Sequence, residues 1–142
     1  TAYEISLGLV GAEMCIRDRL AYPQVGGTSR ILVMKKGKDD IICINPEVEK
    51  LSSEMIRDME GCLSFPDLWI PVLRARTILA KWYNPLGNVQ REFFSDYDAR
   101  CFQHEVDHLE GILFIDYLSK LKKSMIVKKL AKQKEQLDRI VI

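Results

Sequence analysis

The sequence predicts an α+β protein, with mixed or antiparallel sheets packed around a central metal-binding helix and a second helix at the C-terminal end. Three observations carry the prediction. Short runs of branched apolar residues, punctuated by turn residues, fill the chain from Arg30 to Phe94. Helical periodicity begins only after Ser95. Both histidines of the chain, His104 and His108, then stand in that first helical stretch with Glu105 between them.

Taken in order, Arg30 to Lys35 reads as a strand rich in branched residues, and Gly37-Lys38-Asp39-Asp40 as a turn into a second strand, Ile41 to Asn45. Pro46 cannot donate to a sheet ladder, so it is expected to end or edge that strand, with Val48 to Ser52 as another short one. Trp69 to Tyr83 is largely extended, interrupted near Pro71. Asn84-Pro85-Leu86-Gly87-Asn88 turns it into Val89 to Phe94, a hairpin. Ser95 and Asp96 can cap a helix from Tyr97 to Glu110, which Gly111 ends. Ala99, Phe102, Val106 and Leu109 give that helix an apolar stripe, so it can dock while presenting His104 and His108. A second helix, Lys120 to Ile140, carries Leu121, Met125, Val127, Leu130 and Leu137 on its apolar side.

With 142 residues, the chain is expected to be one domain, 1–142, large enough to bury a core without disulfides. No apolar run approaches a membrane span and no secretory pattern opens the chain, so a cytoplasmic protein with its four cysteines reduced is expected. Charge is uneven. From Lys120 to Ile142 there are eight basic residues against Glu135 and Asp138, about +6 on a chain whose formal net charge is +1. The tail is a basic element on a mildly acidic body.

His104-Glu105-Val106-Asp107-His108 is an H-E-x-x-H string. At about 3.6 residues per turn its two imidazoles share one helix face and can grip one divalent ion, with Glu105 beside it for proton transfer. A catalytic site of this kind uses three protein ligands and leaves a position open. No third histidine exists, which leaves Cys15, Cys43, Cys62, Cys101 and the carboxylates. Cys62 stands out because Gly61 precedes it, and glycine lets backbone lie close to a metal or substrate. The plainer reading of Cys62 is a buried, inert thiol.

Glu60-Gly61-Cys62-Leu63-Ser64 followed downstream by His104-Glu105-Val106-Asp107-His108, with Leu20-Ala21-Tyr22-Pro23-Gln24-Val25-Gly26 upstream, resembles the peptide deformylases of the bacterial type. That family's motifs run G-x-G-L-A-A-x-Q, E-G-C-L-S and H-E-x-D-H. The second and third match in full and the first in part, and the similarity covers residues 20 to 138. It implies that Cys62, His104 and His108 bind one divalent ion, ferrous iron in the family, with zinc, nickel or cobalt also able to occupy the site. It implies that Glu105 is the acid/base and that the Gln24 amide and the Leu63 backbone N–H face the developing oxyanion. The implied reaction removes the formyl group from N-formylmethionyl nascent peptides and releases formate.

The match fails at the start, where Ala12 to Arg19 bears charge in place of glycines and Arg19 replaces the glycine before Leu20. Residues 1–19 are therefore expected to be atypical, either artefactual or truncated or the start of a divergent, phage-like short form. Asp107 is read either as the partner of a buried cation, Arg74 being one candidate, or as a surface carboxylate. Cys101 is read as a core thiol lining a methionine pocket, and Phe65 and Trp69 as groove or core residues. By the same resemblance the basic helix, through Lys122, Lys123, Lys128, Lys129 and Lys132, is expected to dock on the ribosome, and the protein to be a monomer. Two rivals use the same residues otherwise: a zincin-like peptidase with Glu135 as third ligand, and an inactive remnant that binds through its basic helix.

Overall fold

The computed structural model describes residues 19–21, 29–62 and 65–141. The larger sheet is antiparallel throughout and has the order β1-β2-β3-β6-β7, made from β1 (Arg19–Ala21), β2 (Ile31–Lys36), β3 (Asp39–Leu51), β6 (Thr77–Tyr83) and β7 (Val89–Ser95). The smaller is a two-stranded antiparallel ribbon of β4 (Met55–Cys62) and β5 (Phe65–Ala75). Helix α1 (Asp96–Leu109), a 3₁₀ turn (Phe114–Tyr117) and helix α2 (Lys120–Val141) follow. This is the α+β arrangement that the sequence predicts, with every described strand pair antiparallel.

Two strand boundaries differ from expectation. Pro46 does not end its strand: β3 runs on to Leu51, with the ladder shifting register between Ile44 and Glu47 and again between Val48 and Lys50. A bulge lets the chain pass a residue that has no N–H to donate. Asn45 takes a left-handed φ of 48° there, and Pro46 is buried. The extended run Trp69 to Tyr83 is not one strand either. It breaks at Arg76, so that β5 joins the ribbon and β6 the large sheet. The hairpin turn is as expected: the Asn84 side-chain oxygen accepts the backbone N–H groups of Leu86 at 3.1 Å and Asn88 at 2.9 Å. Of the atypical start, Arg19 is already in β1, opposite Met34; residues 1–18 lie outside the described ones.

Helix α1 lies against the large sheet through the predicted stripe. Ala99 and Phe102 are fully buried, and Val106 and Leu109 partly so, among Leu32, Met34, Cys43, Ile78, Trp82 and Phe94. Phe102 packs on Phe94 and Trp82 with ring centroids 5.5 and 6.2 Å apart, an offset aromatic cluster that fixes the helix position. Gln103 pins the helix to the end of β5: its amide nitrogen donates to the carbonyls of Ala75 and Ala99, and its oxygen accepts the Ala75 N–H.

The helix ends as Gly111 predicts. Gly111 has a φ of 75°, its N–H reaches the His108 carbonyl at 3.1 Å, and the Ile112 N–H reaches that of Asp107 at 2.8 Å. At the other end Ser95 precedes the helix in extended conformation but makes no side-chain cap; its hydroxyl shares a hydrogen bond with that of Thr77.

Helix α2 keeps only Leu130 of its predicted stripe and adds Ile126. Ile126 and Leu130 pack against the second core cluster of Cys62, Phe65, Ile70, Val72, Phe114 and Ile115. Leu121, Met125, Val127 and Leu137 are exposed instead, because the helix meets the body along one narrow line only. Among the described residues no helix is long and apolar enough to cross a membrane.

Candidate metal centre

The two cores meet where β4 ends against the middle of α1. Cys62 is the last residue of β4, at a break in the ribbon's register, and His104 and His108 stand one turn apart on α1. All three are buried. The Cys62 Sγ lies 3.2 Å from His108 Nε2, which lies 3.1 Å from His104 Nε2, and the three atoms fall within 4.8 Å of one another.

The fit to an ion can be tested on these distances. Ligand bonds of about 2.3 Å to sulfur and about 2.0–2.1 Å to nitrogen in a tetrahedron put neighbouring donor atoms a little over 3 Å apart. The spacings of 3.2 and 3.1 Å lie close to that, the remaining pair lies within 4.8 Å, and one thiol with two imidazoles is a donor set that suits zinc, iron, cobalt or nickel. Among the described residues this is the one group of three histidine, cysteine or acidic side chains so disposed. Cys43 sits in the large core, where burial pushes its thiol up to about 12, and Cys101 is buried in the same cluster. Glu135, the zincin-type alternative, is exposed on α2 and outside the group.

Glu105 is 1% exposed, with a carboxylate oxygen 3.9 Å from His104 Nε2. Its side chain is therefore turned inward beside the ligand atoms, not toward solvent as an ordinary helix carboxylate. Gln24 and Leu63, the two expected oxyanion donors, lie outside the described residues, as does Cys15.

Glu60, which sequence reasoning did not single out, organises the centre. It is fully buried, and its Oε1 sits 2.8 Å from His104 Nδ1. An ionised carboxylate only accepts, so Nδ1 carries the proton and Nε2 presents its lone pair toward Cys62 and His108. Arg74 spans the same carboxylate, Nε to Oε2 at 2.8 Å and Nη2 to Oε1 at 3.0 Å, and Arg100 Nη1 donates to Oε2 at 2.6 Å. Burial pushes the Glu60 pKa up, but the hydrogen bonds from His104 and Arg74 and the charges behind them outweigh it, holding the carboxyl well below its ordinary range.

Arg74 extends the network to Asp107, the partnership that the sequence offered as one of two readings. Its Nη1 reaches Asp107 Oδ2 at 2.5 Å; the Tyr117 hydroxyl donates to the same oxygen at 2.6 Å, and its ring lies 4.8 Å from the guanidinium carbon. Burial and the hydrogen bond to Asp107 push the Tyr117 phenol up to about 12.

Gly61 has a reason that the sequence did not show. A Cβ there would come within 2.9 Å of the Trp69 indole, which lies across it in the paired strand. Trp69 is half-buried, and Phe65 is buried against Phe114 with ring centroids 5.5 Å apart. The signals for Glu60 and Arg100 were present as spacings. Glu60 precedes Cys62 by two on a strand, and Arg100 precedes His104 by four on a helix, which puts each on the same face as a ligand.

The model of the polypeptide deformylase family matches residues 10–124. A peptide deformylase of Thermotoga sp. (strain RQ2) is 42% identical over 111 residues, 78% of this chain and 68% of the relative. The crystal structure of peptide deformylase from Ehrlichia chaffeensis superposes with a TM-score of 0.73 at 34% identity, covering 82% of this chain and 73% of that one. A Met-Ala-Ser-bound class I type b peptide deformylase from Acinetobacter baumannii does so with a TM-score of 0.66 at 34% identity, covering 70% and 69%. Together with a thiol and two imidazoles converging at the end of β4, these likenesses place the chain in the polypeptide deformylase family.

Proposed function

We propose that the chain hydrolyses the N-formyl group of formylmethionyl peptides, releasing formate and a free amino terminus. The observation that carries this is the convergence of Cys62, His104 and His108 with the buried Glu105 beside them. These three residues would hold one divalent ion, which we take to be ferrous iron by likeness to the family. When bound, such an ion supplies Lewis acidity, drawing charge from the formyl oxygen and making water easier to deprotonate. Glu105 accepts the water proton as the hydroxyl adds to the formyl carbon, then passes it to the nitrogen as the C–N bond breaks. Glu60 keeps His104 in the tautomer whose Nε2 can bind. The Gln24 amide and Leu63 N–H are assigned to the oxyanion. The Met-Ala-Ser named for the Acinetobacter relative has the form of the product, a peptide with methionine first.

Formate release from formyl-Met-Ala-Ser by iron-loaded protein tests the proposal, and folded, loaded protein without turnover would sink it. The ligand set has its own check. A cobalt-loaded sample is expected to show thiolate-to-cobalt charge-transfer absorption, and Cys62→Ser to abolish it. Persistence of the band in that variant would move the sulfur ligand elsewhere.

The working protein is read as one catalytic domain, monomeric and cytoplasmic, that meets nascent chains at the ribosome through α2. Lys122, Lys128, Lys129 and Lys132 are exposed on that helix, whereas Lys123 is already paired with Asp116. Phosphate contacts make such binding fall steeply with salt. A chain ending at Lys120 is expected to lose ribosome binding in a sedimentation assay, and equal binding by it would remove α2 from the interface.

A further inference from the structure

The proton on His104 Nδ1 points at one oxygen of a carboxylate carried on a flexible side chain at the end of a two-stranded ribbon. Something must keep that oxygen in place. Arg74, a residue of β5, binds both carboxylate oxygens and carries its third nitrogen to Asp107 and Tyr117, so it links Glu60 by side chains to the paired strand, α1 and the 3₁₀ turn. Arg100 differs. It is 6% exposed and one turn before His104 on the same face of α1. Its Nη1 donates to Glu60 Oε2 at 2.6 Å and to the Val72 carbonyl at 2.9 Å, and its Nη2 donates to the Ile56 carbonyl at 2.6 Å.

We propose that Arg100 is a positioning residue of the metal centre: it fastens the Glu60 carboxylate to both strands of the ribbon, so that Glu60 holds His104 with Nε2 aimed at Cys62 and His108. A planar guanidinium is suited to this, since its fixed fork meets a carboxylate and two carbonyls from two nitrogens, whereas a lysine would have to reach all three from one. Charge points the same way. Glu60 and Asp107 are two carboxylates, Arg74 alone answers both, and Arg100 supplies the second cation beside the fully buried Glu60. Its hydrogen bonds go to Glu60 and the two carbonyls, not to the three ligand atoms, and its effect runs through Glu60.

The role rests on Cys62, His104 and His108 binding metal, and the test separates the two. Cobalt-loaded full-length protein is challenged with a chromophoric chelator while its visible absorption is followed, for wild type, Arg100→Met and the surface control Arg76→Met. Arg100→Met is expected to release cobalt with an affinity loss of about 10- to 100-fold and a shifted ligand-field band, as loss of a partner behind a ligand commonly causes. Arg76→Met is expected to match wild type. Because Arg100 acts through Glu60, the loss should vanish when Arg100→Met is introduced into Glu60→Gln. Cobalt affinity within about twofold of wild type in folded Arg100→Met, or an undiminished loss in the Glu60→Gln background, would overturn the role. Should Arg100→Met not fold, Arg100→Lys is judged by the same two comparisons. A wild-type chain that does not retain cobalt would overturn the metal centre and this role together.

Discussion

Glu105→Gln is expected to lower kcat for formate release by about 10²- to 10⁴-fold, with kcat/KM falling in parallel, the range typical of losing a positioned acid/base. The glutamine keeps the shape of a side chain that is 1% exposed, and it removes only the ability to take a proton. Metal content and thermal stability should therefore be preserved. The decisive comparison is turnover per bound ion, measured beside metal content. A variant retaining a tenth or more of wild-type kcat would remove Glu105 from the proton path.

Glu60→Ala is expected to be the most damaging single change to the folded state. It leaves the guanidiniums of Arg74 and Arg100, 4% and 6% exposed, without the carboxylate that both of them bind, and it takes the acceptor from His104 Nδ1. Breaking a buried ion pair by removing one partner costs about 3–5 kcal/mol. A domain of this kind has about 5–15 kcal/mol in all, so the loss is a large fraction of its stability. Urea unfolding followed by circular dichroism reads it directly. Glu60→Gln, which keeps an acceptor oxygen and the packing, should lose less. A Glu60→Ala chain within about 1 kcal/mol of wild type would mean that the network contributes little. Metal affinity should fall most with Glu60→Ala, which leaves the tautomer of His104 unheld, and less with Glu60→Gln, whose neutral amide oxygen is a weaker acceptor for Nδ1.

These two glutamates differ in how they could be found. Glu105 is flanked by both histidines, so local spacing on a helix is enough to place it beside them. Glu60 is separated from Arg74 by 14 residues, from Arg100 by 40 and from His104 by 44, and no local pattern connects them. The strand that carries it also escapes a pattern search. Met55–Cys62 reads M-I-R-D-M-E-G-C, with charged residues on both faces, because the face it buries is turned to arginines and a histidine rather than to an apolar core. A strand whose inner side is a salt-bridge network does not alternate as a half-buried strand is expected to.

By itself, the sequence determined the helices, the hairpin, the Gly111 stop and the two histidines on one face, since each depends on residues within a turn or two of one another. It also carried the family's motifs, and with them the expected reaction. Local spacing left the choice among the cysteines open until the E-G-C-L-S motif pointed to Cys62, and the tertiary structure gives the reason: of the buried Cys43, Cys62 and Cys101, Cys62 at the end of β4 is the one brought within 3.2 Å of an imidazole. It likewise decided that β5 and β6 part at Arg76 and that α2 docks by Ile126 with Leu130 rather than by the whole predicted stripe. The physical reason is common to all three. A side chain's burial and partners depend on which distant segment packs against it, and that is settled when the two sheets close on α1.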